Sequence, residues 1–389
     1  MEFNLTLPGG MGALAEFVDA FEALMFTRSS GPVQRQIVSS KVGPLTTITA
    51  NLITAGADDS VPTTWLFVGR GKRLTVLVES SVTAAVLEGL WRELSAKALD
   101  RGSWTTHWQR RFYRYLGPPL SQPLFVRGSW YCLPVPETMS GHMVTERYVA
   151  IDVAVQALTT SHAMHIIRRR ELHEEVAAVI SVVLEVGLRT PATQRVWTYQ
   201  LGEQGSKVSQ LGYVSSTFPL NADGEPSIPD DESDLNSALR NVWTLMLRLA
   251  ERDRQRFMRS LKAMRTGAIL RADLGLTHAA AAHSAIAVEA LTGEHSEKAF
   301  TQFLVRCVGP SLPEELRDRL PDQAQDYYRA VRHTYAHGQE SYIEESDPYV
   351  RMEKVSVGSR VLDQITFPRI VGRAILEWLV DRTTRSPRP

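Results

Sequence analysis

The sequence predicts two architectures in one chain: an α+β region over residues 1–220, then an all-α helical bundle over residues 235–385. Three observations carry this. Residues 36–54 and 64–79 are rich in Val, Ile, Thr and Leu in near alternation, as half-buried strands should be. After residue 234 apolar residues recur at helical spacing almost throughout. Between the regions lies segment 221–234, where Asp223, Glu225, Asp230, Asp231, Glu232 and Asp234 occur with no Lys or Arg. Its charges repel and it has little to bury, so it reads as a solvated acidic linker.

Within the first region, residues 14–26 space their apolar side chains as a helix does, residues 82–99 form an amphipathic helix, and residues 168–188 read as another. Segment 104–132 contains Pro118, Pro119, Pro123, three Trp and several Arg and fits no regular element. The region as a whole reads as α+β, either one unit or two subdomains meeting near residue 150. In the second region, residues 235–264 carry an apolar stripe through Leu239, Trp243 and Met246 with a strongly basic second half. Helices over 279–291, stopping at Gly293, and over 297–308, 313–336 and 361–382 complete the bundle.

Composition sets limits on function. The 389 residues hold 43 basic and 43 acidic side chains, so diffuse coating of nucleic acid by a basic surplus is excluded. Split at the linker, the balance is +2 over 1–219, −6 in the linker and +4 over 235–389, which leaves room for a local basic track. Cys132 and Cys307 are too few for a disulfide framework or a four-thiolate zinc site. The N-terminus lacks a basic, then apolar, secretory pattern, and the apolar stretch 176–188 is interrupted by Glu185 and falls short of the roughly 20 residues that span a bilayer. A cytoplasmic protein without a membrane partner is expected. Gly69-Arg70-Gly71-Lys72 lacks the spacing of a nucleotide fingerprint, so no cofactor is expected.

The chemistry concentrates in Arg332-His333-Thr334-Tyr335-Ala336-His337-Gly338, preceded by Asp326, Tyr327, Tyr328 and Arg329. Cleaving RNA requires deprotonating the ribose 2′-OH, stabilising phosphate charge and protonating the leaving 5′-oxygen. Histidine titrates near neutrality and arginine grips phosphate bidentately, so the pair can do this without a metal and leave a 2′,3′-cyclic phosphate. A five-residue offset turns a side chain by roughly 140° on an ideal helix, so His337 must leave the helical path, which Gly338 permits. His333 and His337, four apart, share a face if the helix continues. The bland alternative pairs Arg332 with Glu289 or Asp326 and makes His337 a helix-end residue.

An Arg and a His five positions apart in a helical bundle resemble the Rx4-6H motif of the HEPN superfamily. The upstream Ile286-Ala287-Val288-Glu289-Ala290-Leu291-Thr292-Gly293 resembles the acidic helix of its Apea-like group. The resemblance covers roughly residues 235–385 and leaves the first region unassigned. It implies an endoribonuclease in which His337 is general acid/base, Arg332 clamps phosphate, His333 assists and Glu289 orients Arg332 or His333. It also implies a homodimer with a composite active site and a bacterial toxin or antiviral, abortive-infection role, the first region sensing an unknown trigger. The alternative is a non-catalytic HEPN-like module that binds RNA or protein.

Arg252, Arg256, Arg259 and Lys262, within the basic run that continues through Arg254, Arg265 and Arg271, could track RNA phosphates, with Tyr335 touching substrate; a solvated face is the competing reading. Residues 107–115 interleave cations with aromatics, which suits base stacking, an anionic trigger or plain core packing. His162, His165 and His173 lie beside Arg168, Arg169 and Arg170, whose charge opposes a metal, so the triple Arg reads as an anion or interdomain contact and no metal site is expected. His278 and His283 read as structural.

Overall fold

Two antiparallel sheets organise the N-terminal region in the computed structural model, which describes residues 1–7, 10–40, 43–53, 60–70, 72–120, 122–134, 147–190, 199–201, 233–336 and 366–385. The first sheet has the order β1 (Glu2–Thr6), β5 (Arg73–Ser80), β4 (Ser60–Arg70), β3 (Gly43–Ile53), β2 (Gln34–Ser40). Its register sets Ile48 opposite Trp65 and Trp65 opposite Val78, so the alternating apolar residues fall on one face. Helices α1 (Gly10–Thr27) and α2 (Ala84–Leu99) close that face. Phe21 of α1 lies 5.2 Å from both Trp65 and Phe67, and Trp91 of α2 stacks on Phe3 at 5.1 Å. This first core runs from Leu7 to Trp104.

The second sheet is built where no regular element is expected. Segment 104–132 forms β6 (Thr105–Leu116), β7 (Leu124–Val126) and β8 (Trp130–Pro134). With β9 (Tyr148–Ala157) and β10 (Gly187–Arg189) they give the order β10-β6-β9-β8-β7, and β11 (Tyr199–Leu201) also pairs with β6. The arginines that obscure the strand pattern are part of it. Arg110, 5% exposed, stands directly opposite Asp152 in the β6–β9 ladder and makes two bonds to it, 2.6 and 2.7 Å. Trp108, Phe125, Tyr131 and Leu133 cluster together, while Tyr113 and Tyr115 join the main core. The aromatic and basic side chains of 107–115 are thus spent on packing and internal ion pairs. Residue 150 lies inside β9, so no subdomain boundary falls there; the two cores divide near residue 105.

The helix expected over 168–188 is two helices, α3 (Thr160–Arg170) and α4 (Leu172–Leu184), separated by Glu171 at φ 50. Helix α4 is buried almost all round, which accounts for its apolar run. The helix expected over 235–264 likewise divides into α5 (Asp234–Arg248) and α6 (Glu251–Leu274), because Leu249 and Ala250 are extended. Then follow α7 (Thr277–Thr292), α8 (Glu297–Cys307), α9 (Glu314–Ala336) and α10 (Thr366–Arg385). Ser233 caps α5 by accepting from Asn236 N–H, and Gly293 ends α7 at φ 79. Most of the acidic linker, and residues 361–365, lie outside the described residues; Asp234 opens α5.

A mixed α+β chain with a helical C-terminal region is therefore present, but the helical region does not pack alone. One continuous core joins the inner face of the second sheet, α3, α4 and the helices from α5 to α10. Two of the three consecutive arginines serve the contact between the two cores: Arg169 pairs with the buried Asp19 of α1, and Arg170 with Glu16 at 3.2 Å. Among the described residues no helix is long and apolar enough to cross a membrane.

Candidate functional site

Helix α7 can approach α6 closely because the contact is made of small residues. A Cβ added at Gly267 would lie 2.9 Å from the Ala280 carbonyl oxygen. The alanine-rich α7 then runs inward, and near its C-terminal end it carries Glu289 into a site only 4% exposed. A carboxylate so placed needs donors. Tyr328 of α9 donates its hydroxyl to Glu289 Oε1 at 2.8 Å, and His295 Nδ1 stands 2.9 Å from Oε2. The Tyr328 ring is fixed by Phe300 of α8 at 5.2 Å, and Phe300, Tyr327 and Phe367 stack behind it. Tyr327 shares a 2.7 Å hydrogen bond with Ser284, and its burial holds the phenol far above the usual range. His295 is the exposed member of this group, with 69% of its side chain in solvent.

The backbone of α9 is helical through Ala336, so position 332 follows Tyr328 by one turn on the same face and position 333 is its neighbour. The side chains of Arg332, His333 and Tyr335, and the whole of His337, lie outside the described residues. Another cation, Arg256 of α6, lies at this end of the bundle. A Cβ added at Gly293, just past α7, would lie 3.3 Å from Nη2 of Arg256. On α9, Arg329 grips Glu297 of α8 at 2.7 and 2.8 Å and stands 4.0 Å from Asp326.

The basic run of α6 divides in two. Arg254 bonds Glu175 at 2.7 Å, Arg265 bonds Glu174 and the Leu188 carbonyl, and Lys262 pairs with Glu171. These three cations attach α6 to α4 and its N-terminal junction, so Lys262, expected to touch RNA, is occupied within the chain. Arg252 and Arg259 are exposed, and with Arg256 they fall within about 60° of one another on the helix. The acidic partners Glu171, Glu174 and Glu175 follow one another in sequence, but nothing in their spacing announces α6 as the recipient.

The histidines set aside at the sequence level are structural where they are described. His162 Nδ1 accepts from Leu158 N–H at 3.2 Å, and its ring meets Trp104 edge-on at 4.9 Å. His173 Nε2 is 3.0 Å from the Gln109 carbonyl, to which it donates. Burial pushes these imidazoles down to about 4 and about 3, and burial also lowers His283. Among the described residues no three His, Cys, Asp or Glu side chains come together as a metal set. Sequence reasoning found Glu289 but missed Tyr328 and His295 as its partners; the one available signal was Tyr328 standing four residues before Arg332. Comparison with known families, curated proteins and solved structures finds no match to this chain.

Proposed function

We propose that the chain is a metal-independent endoribonuclease of HEPN type, a bacterial defence or toxin effector whose helical region cleaves RNA through Arg332 and His337. The observation that carries this reading is the buried Glu289 of α7, held by Tyr328 one helical turn before position 332. A carboxylate at that depth supplies the negative charge that would orient an arginine or a histidine arriving from the next turn of α9. In this reading His337 moves the protons, Arg332 stabilises the phosphate and His333 assists. Arg252, Arg256 and Arg259 supply the adjoining cationic face, and a second copy of the chain completes a composite site.

Incubation of the purified protein with total RNA in EDTA tests the proposal, comparing the parent with Arg332→Ala and His337→Ala. Each variant is expected to lose about 10²-fold or more in rate, the usual contribution of a positioned acid/base, with cyclic-phosphate ends on the products of the parent. Equal cleavage by all three proteins, or cleavage abolished by EDTA, overturns it. RNA or protein binding that survives His337→Ala, with no new RNA ends, would identify the non-catalytic module instead. Sedimentation at micromolar concentration is expected to give a dimer.

A further inference from the structure

The two cores meet around a cavity of about 290 Å³ whose walls come from both. Trp104, at the end of the first core, and Trp243 of α5, in the second, both line it. The β7–β8 turn borders it through Gly128, at φ 71, and Ser129. Three arginines are among its lining residues: Arg101 just past α2, Arg170 at the end of α3 and Arg254 on α6. Their carboxylate partners are fewer. Glu16 serves both Arg101 and Arg170, and Glu175 serves Arg254. A guanidinium has five N–H donors in a fixed fork, so these pairings leave most of that capacity unspent. Arg101 also lies over the Trp104 ring at 4.5 Å, which fixes its plane.

We propose that this cavity binds a small organic anion of mononucleotide size, its phosphate held by Arg101, Arg170 and Arg254 and its flat ring set against the apolar wall that includes Trp104 and Trp243. Guanidinium forks match phosphate bidentately, and the excess of cations over carboxylates favours an anion. Volume supports the class: the cavity is close to the lower end of sites that enclose small ligands, about 300 Å³, too small for an oligonucleotide. Location gives the ligand a consequence. It would touch α1 and the Trp104 segment of one core and α5 and α6 of the other, so occupancy reports on how the two are joined. The inference uses neither Arg332 nor His337 and stands whether or not the chain cleaves RNA.

Calorimetric titration of the full chain with each of the four nucleoside 5′-monophosphates, with inorganic phosphate and with adenosine tests it. Saturable binding of at least one monophosphate is expected, tighter than phosphate or adenosine alone. The Arg101→Ala/Arg170→Ala double variant, whose side chains are 61% and 46% exposed and whose loss leaves the core intact, is expected to bind about tenfold or more weakly. Ser129→Trp, which fills the cavity from the turn, should abolish binding, and weakening in either variant supports the site. No binding of any monophosphate, phosphate alone binding as tightly, or binding unchanged in both variants overturns the proposal.

Discussion

Replacing Tyr328 by Phe and Glu289 by Gln, singly and together, measures the contact on which the candidate site is built. Tyr328 donates to a carboxylate 4% exposed, at 2.8 Å, within a buried ring cluster. A hydrogen bond to a charged group is worth ~1.5–3 kcal/mol, so Tyr328→Phe should cost about that much. Glu289→Gln keeps an acceptor opposite the phenol but removes the charge, and a neutral bond is about half as strong, so it should cost ~1 kcal/mol. In the glutamine background Tyr328→Phe then costs less, and the double-mutant cycle should return a coupling of ~1 kcal/mol. Urea unfolding of the four proteins supplies the free energies. A coupling below ~0.5 kcal/mol, the scatter expected of independent sites, would refute the contact. The same proteins assayed on RNA separate position from packing. If Glu289 orients the catalytic arginine, both single variants should slow cleavage by about tenfold, the equivalent of ~1.4 kcal/mol. Coupling in stability with unchanged cleavage would make Glu289 a structural carboxylate only.

Three further outcomes follow from the described core. Asp152→Ala strips Arg110 of its directly opposed carboxylate at 5% exposure and should cost ~3–5 kcal/mol in urea unfolding, whereas Arg110→Met/Asp152→Leu should recover most of it; equal losses in both would show that the pair's charge is not what matters. His173 is held neutral by burial, down to about 3 against an ordinary 6.5, so below pH 6.5 the unfolded chain binds the extra proton and stability falls as pH drops from about 6.5 toward 3. His173 contributes at most ~1.4 kcal/mol per pH unit to that slope, and His173→Gln should remove its share; an unchanged difference between pH 7 and pH 5 would sink the assignment. Gly267→Val places a side chain where a Cβ already meets the Ala280 carbonyl at 2.9 Å, so it should destabilise the helical region by ~1–3 kcal/mol in thermal unfolding. A neutral result would mean that α6 and α7 separate easily.

How much was legible beforehand differs from element to element. The hairpins around Ile48 and Trp65 show in the sequence because one face is wet, and alternation survives wherever a strand is half buried. Strand β6 does not show, because its buried face includes Arg110, a residue that pattern reading counts as solvent-facing until Asp152 is placed opposite it. The break at Glu171 is equally silent, since a left-handed residue other than glycine leaves no compositional mark. Glu289 was visible through the company it keeps in sequence. Its partners were not, because Tyr328 lies 39 residues away and meets it only when α9 packs on α7.

The sequence by itself determined the mixed α+β class of the first region, the helical nature of the C-terminal region and the residue types available for chemistry, all of which follow from local periodicity and composition. Only the tertiary structure decided that residues from Tyr113 to Leu379 share one core across the acidic linker, and that three of the seven cations in the basic run of α6 pair with α4 and its junction with α3. It also decided that three arginines far apart in the chain face one cavity. The reason is common to all three: ion pairing and burial depend on which surfaces meet, and those contacts join residues whose separation along the chain carries no period to read.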